Sequence, residues 1–122
     1  MSLPAAYSLA LYRGDSFRTQ FRLWADAQKT QPVDLSGVIA AAELRAAPKS
    51  ALLLALACAI TGNVIDVSLT AAQSATLPTV AYWDLQLTYP SGDVQTIVAG
   101  GVSVRADITA SPLPGAREVA HV

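Results

Sequence analysis

This chain is poor in charge, in histidine and in cysteine, and each shortage removes a class of function. Charged residues occupy 14% of its 122 positions, against roughly 25% in ordinary soluble domains, so part of the surface is expected to lie under a partner. The charges nearly cancel, with 8 Lys plus Arg against 9 Asp plus Glu. No field is left to hold a polyanion by counterion release, which argues against nucleic acid as a ligand. The one cysteine, Cys58, cannot form an intrachain disulfide and has no second thiol to complete a zinc spacing. Its aliphatic neighbours predict a buried, inert thiol. The one histidine, His121, is penultimate in a segment expected to be a tail, so no triad can be assembled around it.

Long hydrophobic runs are missing too. The longest, "ALLLALACAI" at Ala51 to Ile60, is about half of what a membrane-spanning helix needs, and no membrane partner is expected. The beginning, "MSLPAAYSLA", shows neither a cationic start nor an apolar block with a cleavage site, so synthesis in the cytoplasm is expected. The glycines form no phosphate-cradling pattern. Asp66 and Asp84 fall mid-strand on outward faces, where a solvated or hydrogen-bonded carboxylate is the expected role, without a partner of matched chemistry. Together these absences predict no enzyme activity, no cofactor and no metal.

What is present is alternation. Phe17, Thr19, Phe21 and Leu23 share one face while Arg18, Gln20, Arg22 and Trp24 share the other, the pattern of a half-buried strand. Upstream, Tyr7, Leu9 and Leu11 alternate with Ser8, Ala10 and Tyr12, and Gly14-Asp15-Ser16 joins the two strands with turn chemistry. The polar stretch "DAQKTQP" from Asp26 to Pro32 is expected to be an exposed loop, after which Val33 to Gly37 re-enters the fold. "VIAAAELRAA", from Val38 to Ala47, is made of helix formers, yet it alternates and is bracketed by turn signals, which favours a strand. Leu52 to Thr61 is equally ambiguous. A strand is preferred because Gly62-Asn63 leads directly into "VIDVSL", making a hairpin.

At Thr70 the period changes. Thr70-Ala71-Ala72-Gln73 fits a capping box at the start of a helical turn, which Pro78 closes near Leu77. Trp83, Leu85, Leu87 and Tyr89 then alternate up to a tight turn at Pro90 to Asp93. A last strand begins at Val94; Gly100-Gly101 predicts a bulge or a close backbone approach within it, and Val102, Val104, Ala106 and Ile108 continue the inward face.

About seven strands at spacings near ten residues, with one short helical turn, predict an all-β fold, an antiparallel immunoglobulin-like β-sandwich. The domain is expected over residues 1–109, with an extended C-terminal tail over 110–122. Such a sandwich keeps two open edges unless another chain covers them. A ligand between the sheets is disfavoured, because the inward positions carry Leu, Val, Ile and aromatic side chains. Arg18, Arg22 and Trp24 form a possible partner-binding patch, since Arg and Trp are enriched at binding hot spots. Arg13-Gly14-Asp15-Ser16 spells the tetrapeptide that integrins recognise, but a turn between two strands accounts for all four residues.

The ordered segments "YRGDSFRTQFRLW", "PVDLSGVIAAAELR", "VSLTAAQSATL", "YWDLQL" and "GDVQTIVAGGVSV" resemble short virion-associated proteins of tailed bacteriophages. They are similar in pattern to the amino-terminal β-sandwich domain of baseplate upper proteins, over about Leu9 to Thr109. The resemblance implies a non-enzymatic module that docks on other virion proteins at a tail, baseplate or fibre base. It implies a virion protein assembled in the bacterial cytoplasm, and a homo-oligomer is expected. A capsid decoration protein is the alternative, and an adhesion module using Arg13 to Asp15 a further one. The chain ends soon after the sandwich with no fibre domain in this sequence, which favours an adaptor, sheath or decoration role over direct host recognition.

Overall fold

The computed structural model describes residues 4–47, 49–106 and 116–119. Nine strands and one helical turn follow in order: β1 (Ala5–Ala6), β2 (Leu9–Arg13), β3 (Phe17–Leu23), β4 (Ile39–Arg45), β5 (Leu52–Thr61), β6 (Val64–Leu69), α1 (Ala71–Ser74), β7 (Val80–Thr88), β8 (Val94–Ala106) and β9 (Ala116–Val119). All seven strands expected from the alternation are β2 to β8. Where helical propensity and period two disagreed, in β4 and β5, the pairing of both segments with neighbouring strands prevails. A helix would have buried one narrow stripe; an extended strand puts Ala42, Leu44 and Leu56 into one core.

The strands form one continuous sheet curled on itself, in the order β1-β8-β7-β4-β5-β6-β3-β9, with β2 also on β8. Strand β5 makes the curl. Its first half, Leu52 to Leu56, pairs with β4, and its second half, Ala57 to Thr61, pairs with β6. The result is a front layer (β1, β2, β8, β7, β4 and the start of β5) and a back layer (the end of β5, β6, β3 and β9). Phe21 of the back layer packs against Tyr7 and Trp83 of the front, with ring centroids 5.4 and 5.7 Å away, so the two inner faces share one core. Leu11, Leu44, Leu85, Leu87 and Val98 from the front meet Leu23, Ile65 and Val67 from the back. This is the immunoglobulin-like sandwich, with the helical turn between β6 and β7.

Pairing is not antiparallel throughout. β1 and β2 run parallel to β8, and β9 parallel to β3. The cause lies at Gly14, whose φ of 91° turns the chain out of the front layer. Because β2 and β3 lie in different layers, they cannot form a hairpin; β2 meets β8 instead, running the same way. The link between β1 and β2 presses onto β8 at Gly100. A Cβ on Gly100 would lie 2.2 Å from the Tyr7 carbonyl oxygen, and that oxygen accepts a 2.8 Å hydrogen bond from the Trp83 indole. The glycine pair thus marks the expected close approach. The bulge in β8 falls earlier: the register slips opposite Leu85 and Gln86 and skips Ile97, so that adjacent Ile97 and Val98 are both buried.

Thr70 caps α1 as expected. Its side chain accepts from the Gln73 amide at 3.1 Å and the Gln73 side chain accepts from the Thr70 amide at 2.9 Å. Cys58 points inward from β5 but is only partly buried, because its strand is leaving one layer for the other; burial still pushes its thiol pKa up. Of the segment expected to be an extended tail, Ala116–Val119 form β9 on the edge of β3, while His121 of that segment, and Ile108 of the expected last strand, lie outside the described residues.

Candidate interaction surfaces

Of the three residues expected to form a patch on β3, Arg18 is exposed while Arg22 and Trp24 are half-buried, and Arg18 is already engaged within the chain. Arg18 forms a bidentate pair with Asp66 on β6, both N to O distances being 2.7 Å, and Gln20 donates to the same carboxylate at 3.2 Å. The Arg18 guanidinium is the main cause that holds the Asp66 carboxyl below its ordinary value, with the Gln20 amide adding to it. Arg22 faces Val64 across the β3–β6 ladder and is half-buried, as is Trp24. Trp24 ends the strand in a bridge to Pro32. The pattern places all three on one side of β3, but Arg18 is engaged by Asp66, a partner 48 residues away that sequence spacing did not reveal.

The Arg-Gly-Asp corner is clamped to α1. The Gly14 amide donates to the Ser74 hydroxyl at 3.0 Å, and that hydroxyl donates to the Asp15 carbonyl at 2.7 Å. The Arg13 guanidinium donates to the Leu77 carbonyl at 3.2 Å. Ser74 is fully buried. An integrin ligand needs an extended loop with its arginine and aspartate presented outward, whereas this tetrapeptide is a corner tied down at its backbone. Ser74 escaped the sequence reading, since a serine in a helical turn looks unremarkable until a distant loop needs its hydroxyl.

The front layer carries the surface with the most unusual composition. The exposed large apolar side chains among the described residues are Ile39, Leu52, Leu53, Val80, Tyr82 and Val94, and all six belong to strands of this layer. In its middle the register brings Glu43, Asp84 and Ala99 into one row and Arg45, Tyr82 and Gly101 into the next. The small side chains on β8 leave an open hollow of about 450 Å³ beside Tyr82 and Asp84. On its far wall Arg45 donates to Glu43 at 2.7 Å and to the Ser50 carbonyl at 2.7 Å. Asp84 accepts no hydrogen bond and forms no ion pair among the described residues. Burial first, and repulsion from Glu43 second, raise its pKa, with Arg45 opposing. The site is therefore an apolar surface with an under-neutralised carboxylate, and no group of His, Cys, Asp and Glu among the described residues is arranged to hold a metal.

A β-sandwich built on these strands has a family. The LtfC-like β-sandwich domain matches residues 4–105, and the chain belongs to that family. LtfC is a tail-fibre-related phage protein, so the resemblance to phage proteins holds at the level of the domain. No curated protein matches the chain.

Proposed function

We propose that this chain is a non-enzymatic structural component of a phage virion, which docks on other virion proteins at the tail, the baseplate or the base of a fibre, and which self-associates. Membership of the LtfC-like family supports the phage setting. The observation that carries the docking role is the confinement of every exposed large apolar side chain among the described residues to the front layer. Monomeric proteins scatter such side chains over their surface, and their concentration in the strands of one layer supports an interaction surface there. Low charge content fits the same reading, because interface cores are depleted in charged residues. Mass spectrometry of purified virions tests the proposal: the protein should be found in the particle, and its absence despite expression during infection would reject it. Immunogold labelling on the tail is the expected outcome, and labelling on the head would make it a capsid decoration protein instead.

A further inference from the structure

Among the described residues, Asp84 and Arg105 are opposite charges on the front face that make no hydrogen bond or ion pair, and Lys49, which lines the same hollow as Asp84, makes none either. Asp84 lines the hollow and accepts no hydrogen bond among the described residues. Arg105, exposed near the end of β8, has no hydrogen bond or ion pair among the described residues. Both lie on the outward side. Asp84 is level with Ala99, and Arg105 is six residues further along the same strand, a separation of about 20 Å. They are too far apart to pair within one copy.

They are well placed to pair between two. Midway between those levels lie Ala81 and Val102, which are cross-strand partners and point inward. Their outward neighbours are Val80 and Tyr82 on β7, 59% and 43% exposed, with Ser103 and Gly101 opposite them on β8. Consider a two-fold axis lying in the interface and crossing the strands at this level. It carries Arg105 of each copy onto the position of Asp84 in the other, and seats Val80 of each copy against Tyr82 of the other. The side chains at the middle are apolar and the charges form the two flanks, which is the arrangement a self-complementary, isologous contact requires. A long arginine side chain spans the one-strand offset between β8 and β7, since adjacent strands are about 4.8 Å apart. Arg45 is held by Glu43 and the Ser50 carbonyl and acts on Asp84 only at longer range; among the described residues neither it nor Lys49, the other cation lining the hollow, forms an ion pair with Asp84.

Gly101 supports the assignment. Its backbone is not left-handed and a Cβ there would meet nothing within 4 Å, so neither turn geometry nor packing within the chain calls for glycine. Its effect is to keep the hollow beside Tyr82 open.

We infer that the front face is a homodimer interface, in which Arg105 of one copy enters the hollow beside Tyr82 of its partner and pairs with Asp84, twice by symmetry. The inference rests on the self-association part of the proposed function and goes further by naming the face, the symmetry and the ion pair.

Charge reversal decides it. The dimer dissociation constant of the full chain is measured by sedimentation and light scattering for the unmodified protein, for Asp84→Arg, for Arg105→Asp and for the double variant. Each single reversal places two like-charge pairs in the interface and should weaken the dimer by about a hundredfold or more, and the double variant should recover to within about tenfold of the original. Raised salt should weaken the unmodified dimer. A protein that stays monomeric at all concentrations overturns the inference, as does a dimer indifferent to the single reversals or a double variant weaker than both. Should Asp84→Arg fail to fold, Arg105→Asp, at an exposed site, and Asp84→Asn supply the same comparison with the unmodified protein. The outcome is separable from that of virion mass spectrometry: a virion protein whose dimer ignores the reversals refutes this interface alone, and a charge-dependent dimer absent from particles refutes the virion role alone.

Discussion

Adjacent glycines in β8 should respond in opposite directions to the same substitution. In Gly100→Ala the new Cβ would fall 2.2 Å from the Tyr7 carbonyl oxygen, 2.7 Å from its carbonyl carbon and 3.2 Å from the Ser8 nitrogen. These are backbone atoms of the link between β1 and β2, so no side-chain rotation relieves the clash and the link itself must lift away from β8. Lifting it removes the 2.8 Å hydrogen bond from the Trp83 indole to Tyr7 while the indole stays buried, 3% exposed. A buried donor left without an acceptor costs about 1–3 kcal/mol. The displaced Tyr7 ring also loses its edge contact with Phe21, which is worth about 0.5–1.5 kcal/mol. Replacing a glycine stiffens the unfolded chain and returns about 0.4–1 kcal/mol. The net is a loss of about 0.5–4 kcal/mol.

Gly101→Ala has only the last of these contributions. Its Cβ meets no atom within 4 Å and its φ is not in the left-handed region, so a gain of about 0.4–1 kcal/mol is expected. Equilibrium unfolding in urea, followed by circular dichroism and tryptophan fluorescence at a protein concentration low enough to avoid association, measures both changes. Fluorescence should also report a changed indole environment in native Gly100→Ala. Equal destabilisation of the two variants, or a Gly100→Ala protein as stable as the parent, would refute the account of the β1–β2 link given above.

Ser74→Ala removes the acceptor of the Gly14 amide and a donor to the Asp15 carbonyl; a loss of about 1–3 kcal/mol is expected, with faster hydrogen exchange at Gly14 as the local sign. Thr19→Val should stabilise by about 1 kcal/mol in thermal unfolding, because the Thr19 hydroxyl is buried with no hydrogen-bond partner among the described residues and its removal relieves an uncompensated desolvation. Asp66 titrates below its ordinary value in the folded protein, so its pairing with Arg18 contributes stability above about pH 4 and loses it as the pH falls through the lowered folded value. Asp66→Asn should flatten that acid limb in a pH series of unfolding curves. Asp84 has the opposite sign: its raised folded pKa means that ionisation costs stability as pH rises through and beyond the ordinary carboxylate range. In the dilute monomer, Asp84→Asn should therefore be more stable than the parent at neutral pH and no more stable in acid.

The local rules read the elements well and the long-range ones poorly. Period two in "VIAAAELRAA" outweighed helix propensity because Ala42 and Leu44 had a core to enter, and burial decides such conflicts. Thr70 and Gln73 announced the capping box because both partners lie within one turn. The switch of β5 between layers left no trace in a run where every side chain is apolar or small, because periodicity says which side is buried and not which strand lies alongside. Ser74 serving Gly14, 60 residues away, and Asp66 engaging Arg18 were invisible for the same reason.

The site was hardest to read because it is made of register. Tyr82 and Asp84 were legible as outward residues of a strand, and Gly100-Gly101 as a feature of another. That Gly100 serves the fold while Gly101 opens the surface follows only once Trp83 is set opposite the first and Tyr82 opposite the second. One residue of slippage would exchange the two roles, placing the clash with Tyr7 on the wrong glycine and closing the hollow beside Asp84. The bulge that skips Ile97 fixes this register: it lets Ile97 and Val98 both enter the core and sets the phase in which Ala99, Gly101, Ser103 and Arg105 all face outward. The apolar core of the sandwich thus determines, through one extra residue in β8, where the cation and the open floor of the front face stand relative to Asp84.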